Sequence, residues 1–282
     1  VLIDMIKSYS KINLSLRILK KMKNGYHDIQ SNTFLIDLFD KIYIKKNLKK
    51  KDEVVFKGKF KKFIDKKNNS VLSTISILKN KKIIKSKNFY KITVIKNIPI
   101  FSGLGGGTSN AFFLYKYFYS HNSKKLLKNL GSSLGSDLIL FLKKQTFQKN
   151  LYNIKSYKKK FSFYFLLTYP NIRCSTKYMF SKIKKFSPSS KFDFTKITSD
   201  EKFIDLLKKE VNDMQTLALS NFKPIKKILH VISIQKGCLI SRMTGSGSVC
   251  FGMFKSRKLA TMGLKEVKKK FPQYWCLVTK TI

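Results

Sequence analysis

The stretch NIPIFSGLGGGTSNAFF (97–113) limits what this chain can fold into more than any other. Gly103, Gly105, Gly106 and Gly107 occupy four of five consecutive positions. Glycine has no Cβ, so it can take φ > 0 and let another group approach the backbone closely. YKITVIK (90–96) alternates as a strand does, and SNAFFLYKYF (109–118) is long and apolar enough for a helix. The glycines are therefore expected at a strand–loop–helix corner, where backbone N–H groups and the helix dipole favour an anion. A purely structural turn is the other reading, although hairpin and cap turns rarely need so many glycines. Neither common nucleotide loop fits. A Walker A loop needs lysine and then Ser or Thr after its last glycine, and the dinucleotide spacing needs glycine where Thr108 stands. The physics of a phosphate cradle still holds, with backbone donors, the hydroxyls of Thr108 and Ser109, and a helix N-terminus.

The 282 residues suffice for one large domain or two ordinary ones, and the 43% apolar content allows a sizeable core. No apolar run approaches the ~18 residues of a membrane span. The start, VLIDMIKSYSK, lacks the apolar core of a signal peptide. Met5 opens MIKSYSKINL, so the start is read at either Val1 or Met5, and the chain is expected in the cytoplasm. Cys174, Cys238, Cys250 and Cys276 are widely spaced and read as free, buried thiols.

The formal charge of +44 invites a polyanionic partner. Against nucleic acid stands the identity of the bases: four arginines, the other 55 of 59 being lysine. Readers of phosphates and base edges lean on the planar fork of arginine. Abundant Asn, Ile, Phe and Tyr fit a compositional bias on solvated faces. Anionic substrates are attracted either way.

YSKINLSLRIL (9–19) alternates as one half-buried strand, with Ile12, Leu14, Leu16 and Ile18 on one face and Lys11 beside Asn13 on the other. NGYH (24–27) is turn chemistry, and a strand is expected near residues 33–38. Residues 45–69 read as loops or edge strands, and VLSTISILKN (71–80) as a helix. GSSLGSDLILFL (131–142) is a second small-residue loop running into an apolar segment. A strand over 161–170 stops at Pro170. Thr198 and Glu201 form a capping-box pattern before a helix, and PIKKILHVIS (224–233) is another helix. CLISRMTGSGSVCFGMF (238–254) reads as strand, glycine turn, strand. A helix near 257–270 and a strand at 274–280 complete an α+β chain without repeats. The lysine-rich segment 150–160 separates two patterned halves, giving domains at 5–152 and 153–282.

Asp137 is the one acid between Asp65 and Asp193. It serves either as the N-cap of the helix it begins or as a carboxylate accepting a substrate hydroxyl proton. Lys11 on its own reads as a solvated lysine.

Together these pieces resemble the GHMP kinases. PIFSGLGGGTSNA is similar to their phosphate loop, and MTGSGSVCFGMF to their third glycine motif. SKINLSLRI followed by NGYHDIQS, the triple glycine before T-S-N-A, and LGSDLILFL resemble one branch of that family. That branch phosphorylates the 2-hydroxyl of a cytidyl-diphosphate methylerythritol in the non-mevalonate isoprenoid pathway. Homoserine and mevalonate kinases are the alternatives within the family, and a basic nucleic-acid-binding protein is the alternative outside it. The resemblance implies an amino-terminal domain of the ribosomal S5 domain 2 type and a ferredoxin-like carboxy-terminal domain. It implies ATP bound by Pro99, Ile100, Phe101, Ser102, Gly103, Leu104, Gly105, Gly106, Gly107, Thr108 and Ser109. Asp137 would take the hydroxyl proton, and Lys11 would hold Asp137 as the carboxylate and offset phosphoryl charge. Asn13, Tyr26, His27, Asp137 and Thr176 would bind the acceptor. Mg²⁺ would come with ATP, held by phosphates, waters and Ser109 and by no dedicated protein site. Leu138-Ile139 replaces the Val-Pro of that branch, and Thr33 stands where many members stack an aromatic ring, with Phe34 beside it.

Overall fold

In the computed structural model, which describes residues 3–121 and 124–282, the alternation over 9–19 buries Ile12, Leu14, Leu16 and Ile18 as expected. It does so in two strands rather than one, β1 (Asp4–Asn13) and β2 (Arg17–Lys21). The break lies at Ser15. Leu14 N still donates to Asn32 O (2.7 Å), but Leu16 N turns away to Val211 O (2.8 Å), and the hydroxyl of Ser15 accepts from Asn32 N (3.1 Å). The polar face is not solvated: Lys11 and Asn13 are 3% and 2% exposed. Val1 and Leu2 lie outside the described residues, and β1 opens at Asp4, one residue before Met5.

The chain continues through β3 (His27–Lys46), β4 (Glu53–Lys57), α1 (Ser70–Asn80), β5 (Tyr90–Ile95), α2 (Gly106–Phe118) and α3 (Lys124–Leu134). A 3-10 helix (Ser136–Leu142), β6 (Gln145–Asn150), β7 (Asn153–Ser156), β8 (Tyr164–Tyr169) and α4 (Thr176–Ser181) follow. Then come α5 (Asp200–Lys208), α6 (Asp213–Asn221), α7 (Lys223–Ser233), β9 (Ile240–Met243), β10 (Cys250–Phe254), α8 (Arg257–Lys270) and β11 (Trp275–Lys280).

The chain forms two units that interleave along the sequence. One comprises Val1–Ser10, Leu38–Ile100 and Gly105–Leu142. In it β5 pairs parallel with β4 and antiparallel with the end of β3 over residues 41–46, and α1 packs on α2. The lysine-rich region 45–69 thus supplies an edge strand, β4. The other unit comprises Lys11–Asp37, Phe101–Leu104 and Lys143–Ile282. There β2 and β6 pair antiparallel with the first half of β3. A four-stranded antiparallel sheet runs in the order β11-β8-β10-β9, with α7 and α8 packed on it. A first strand lying between the fourth and the third is the ferredoxin-like arrangement.

Local signals account for most helix starts. Asn69 caps α1 by accepting from Val71 N and Leu72 N, and Ser256 caps α8 through Leu259 N. The capping pattern at 198–201 moves by one residue. Ser199, not Thr198, accepts from Lys202 N, and its hydroxyl donates to Glu201 Oε2 at 3.0 Å. The four cysteines are free; Cys174 and Cys250 are buried, while Cys238 and Cys276 are half-buried. Burial pushes the Cys174 thiol up to about 11.

The second unit is built on rings. Phe203 stacks on Phe161 at 4.2 Å between centroids and lies within 6.0 Å of Phe34, Phe163 and Phe194. All five are fully buried. Truncating such a ring loses transfer energy and leaves a cavity, so Phe203→Ala should cost about 3–5 kcal/mol. Urea unfolding monitored by tryptophan fluorescence measures this; a loss of under ~1 kcal/mol would mean that the cluster collapses freely around the gap.

Candidate active site

β5 ends at Ile95 and α2 begins at Gly106, so the glycine stretch is the strand–loop–helix corner expected. Its glycines do different work. Gly105 is the N-cap of α2 in a left-handed conformation (φ 70, ψ 24) and gives no side-chain cap, so the first-turn N–H groups of α2 keep their capacity to bind an anion. Gly103 has φ +76, and a Cβ there would lie 2.0 Å from Thr244 O. The chain is drawn against the 244–249 turn at this point: Val249 N donates to Ser102 O (3.2 Å) and Lys11 N to Leu104 O (3.1 Å). Gly106 and Gly107 are helical, and Gly107 is exposed. A Cβ on Gly107 would meet only Ser70 Oγ, at 3.8 Å. Pro99 is buried, Ile100 half-buried, and Phe101 is 44% exposed with φ 51.

Thr108 and Ser109 diverge. A Cβ on Gly135 would come within 2.8 Å of Thr108 Oγ1, so Thr108 lies against the turn that leads to Asp137. Ser109 is fully buried; its hydroxyl donates to Tyr9 O (2.5 Å) and lies 2.7 Å from Ser8 Oγ. Asp137 is half-buried in the first turn of the 3-10 helix Ser136–Leu142. The helix begins before Asp137, so the N-cap reading of this carboxylate does not hold.

In the other unit Lys11 Nζ donates to Asn13 Oδ1. Asn13 is fixed on every side. Its Nδ2 donates to Ser31 Oγ (2.8 Å) and Thr33 Oγ1 (3.0 Å), and its backbone N donates to Thr244 Oγ1 (2.8 Å). A Cβ on Gly245 would sit 3.2 Å from Lys11 Nζ and 2.9 Å from Gly103 O. Lys11, Asn13, Gly103 and Gly245 therefore come together. Thr33 is a buried polar anchor of this group, and Phe34 belongs to the ring core, so neither presents an aromatic face to a ligand.

His27 stacks on Phe180 at 4.9 Å and lies 6.3 Å from Phe186, which is 45% exposed. Partial burial, then Lys21, lowers its pKa, which favours the neutral imidazole. Tyr26 is half-buried against the apolar cluster that includes Ile18 and Ile29. Thr176, exposed, opens α4 with its hydroxyl 3.0 Å from Ser246 Oγ. Sequence reasoning missed Ser31, which with Thr33 and Thr244 locks Asn13, and Phe180 and Phe186, which face His27; it named Thr33 and the motif holding Thr244 without this role. No local pattern shows these contacts, because each is assembled across sequence distance. Among the described residues, no group of three or more His, Cys, Asp or Glu converges as a metal site.

The two kinds of glycine are separable. Gly103→Ala should sharply lower the thermal midpoint, since the methyl would overlap Thr244 O. Gly107→Ala should leave it unchanged or raise it, alanine being about 0.5–1 kcal/mol better than glycine inside a helix. Differential scanning fluorimetry of both variants reads this, and equal losses would contradict the assignment.

The GHMP kinases C terminal family matches residues 199–273. The 4-diphosphocytidyl-2-C-methyl-D-erythritol kinase of Pelagibacter ubique (strain HTCC1062) is 36% identical over 98% of both chains. The kinase of the same name from Clostridioides difficile (strain 630) is 31% identical over 96% of this chain and 93% of its own. A crystal structure of 4-(cytidine 5'-diphospho)-2C-methyl-D-erythritol kinase shares the fold with a TM-score of 0.73, 18% identity, and coverage of 99% of this chain and 100% of that one. Homoserine kinase from Cytophaga hutchinsonii superposes less closely, with a TM-score of 0.66, 14% identity, and coverage of 98% and 95%. The order of motifs, the two glycine turns and full-length similarity place this chain in the 4-diphosphocytidyl-2-C-methyl-D-erythritol kinase family of the GHMP kinases.

Proposed function

We propose that the chain transfers the γ-phosphoryl group of ATP to the 2-hydroxyl of 4-diphosphocytidyl-2-C-methyl-D-erythritol, in the cytoplasm, as a step of non-mevalonate isoprenoid precursor synthesis. The observation that carries this reading is the 36% identity, end to end, with the Pelagibacter kinase of that name. The amino-terminal domain is assigned to residues 5–152 and the carboxy-terminal domain to 153–282.

Phosphoryl transfer asks a protein mainly for positioning and charge stabilisation. The segment 99–109 is assigned to ATP, with backbone donors of Gly105 to Thr108 at the α2 N-terminus facing the phosphates. Ser109 acts from inside, fastening the first turn to Tyr9 O, and is not a metal ligand in this reading. Mg²⁺ would enter with ATP and would supply charge neutralisation for the phosphates. Asp137 accepts the proton of the 2-hydroxyl as its oxygen bonds to the γ-phosphorus and ADP leaves. Lys11, oriented by Asn13, offsets charge on the moving group. Tyr26, His27 and Thr176 are assigned to the acceptor. The neutral imidazole of His27 can both donate and accept a hydrogen bond, which suits a nucleobase edge.

ADP release, measured in a coupled assay, tests the reading. The cytidyl acceptor should support turnover, and homoserine, mevalonate and galactose should not. Turnover with one of those three and none with the cytidyl compound would overturn it.

Asp137→Asn should lower kcat by roughly 10²–10⁴-fold with ATP affinity largely kept, because the amide cannot take the proton. Near-parental kcat would remove Asp137 from the chemistry. Tyr26→Ala should raise KM for the cytidyl acceptor roughly 5- to 150-fold, on the scale of about 1–3 kcal/mol per stacked base, with little change for ATP. Equal damage to both substrates alongside a lower thermal midpoint would make Tyr26 a packing residue of the apolar cluster it touches.

A further inference from the structure

The phosphate segment is held from below by a charge that the proposed mechanism does not use. Asp40, on β3, is fully buried, and Lys96, just past β5, is 2% exposed. Lys96 Nζ donates to Asp40 Oδ2 and also to Asn110 Oδ1 (2.9 Å). Asn110 Nδ2 in turn donates to Asp40 Oδ2 (3.0 Å) and Ser8 Oγ (2.8 Å). The other carboxylate oxygen, Asp40 Oδ1, accepts from the backbone N–H of Asn97 (2.7 Å) and Ile98 (2.9 Å). A single carboxylate thus holds the chain where it leaves β5 and, through Asn110, where it re-enters as α2. A Cβ on Gly106 would lie 3.0 Å from Ile98 Cγ2 and 3.4 Å from Lys96 Nζ, so the start of α2 rests directly on this group.

The geometry points to Asp40 as a positioning residue for the nucleotide, an inference that rests on the assignment of segment 99–109 to ATP. A buried ion pair is weak evidence for stability, because removing two charges from water offsets much of their attraction. A well-packed apolar pair of similar size often serves the fold as well. What an apolar pair cannot do is accept from the Asn97 and Ile98 N–H groups, which fix the strand end that sets the height of the α2 N-terminus. The effect should therefore fall on ATP binding more than on folding.

Two double variants separate the roles. The apolar variant, Asp40→Leu with Lys96→Met, removes both charges and the backbone acceptor. The amide variant, Asp40→Asn with Lys96→Met, removes both charges but leaves an amide oxygen for Asn97 N and Ile98 N. Thermal midpoints and ATP dissociation constants by calorimetry are measured for both and for the parent. The apolar variant, which strands the Asn97 and Ile98 N–H groups, should bind ATP roughly 10- to 100-fold more weakly than the parent, the amide variant losing only about fivefold or less, with a gap in affinity larger than the gap between their midpoints accounts for. Affinities that simply follow the midpoints, or an apolar variant binding within about threefold of the parent, would overturn the inference. If the apolar variant does not fold, the smaller pair Asp40→Ala with Lys96→Met, which also lacks an acceptor for Asn97 N and Ile98 N, decides by the same calorimetry. An ATP dissociation constant raised about tenfold or more with the acceptor's within about twofold supports the role, and an ATP constant within about threefold of the parent, or equal losses for both ligands, rejects it. Binding is read without turnover, so failure of the kinase reading would show separately, as a parent that binds ATP but does not phosphorylate the cytidyl acceptor.

Discussion

The ion pair of Asp40 with Lys96 is the interaction on which the glycine corner depends. In a chain with 15 acids and 59 bases, a fully buried carboxylate is a costly choice, and this one is satisfied through four donors. It fixes two backbone amides at the end of a strand, and the helix that follows begins on glycines with no side-chain cap. The helix N-terminus that results is held in place without spending its own N–H groups on the protein. Gly103 solves a separate problem in the other unit, where its bare Cα lets the backbone meet Thr244 O. The glycine-rich stretch is therefore two devices in one segment.

The same economy shows in the few arginines. Arg17 Nε bonds to Glu210 Oε2 at 2.7 Å, with the carboxylate side chain only 2% exposed. Arg242 donates to Leu14 O (2.6 Å) and Leu207 O (3.2 Å), and burial, partly opposed by Glu210, lowers its pKa to about 10. Two of the four arginines thus flank one buried glutamate, and Arg242 also binds the chain next to Asn13. A guanidinium tolerates burial and can reach two acceptors in fixed directions, which an ammonium cannot. The lysines mostly stay solvated, and exposed pairs such as Lys208 with Asp205 contribute little.

Much of this was legible in the sequence, and the failures have physical causes. The glycine corner, the strand–turn–strand at 238–254 and the helices at 71–80, 224–233 and 257–270 follow from local pattern, and they stand close to where that pattern puts them. Period-2 alternation placed Ile12, Leu14, Leu16 and Ile18 in the core but could not show the break at Ser15. That break is made by Asn32 and Val211, residues distant in sequence. Alternation also assigns polar residues to solvent, so it misread Lys11 and Asn13, whose burial is satisfied by Ser31, Thr33 and Thr244. Asp40 left no trace at all, since its partner Lys96 is 56 positions away. The aromatic surroundings of His27 are likewise tertiary, drawn from Phe180 and Phe186.

The central claim is regiospecific phosphorylation, and the product decides it. Carbon 2 of the acceptor bears a methyl group and no hydrogen, so a phosphate placed there has no proton three bonds from phosphorus. Proton-coupled ³¹P NMR of the product formed from ATP and the cytidyl acceptor should show a new phosphomonoester as an unsplit line, beside the unchanged diphosphate signals. A monoester line split by carbinol protons would place the phosphoryl group on carbon 1 or 3 and contradict the account, as would the absence of any new monoester.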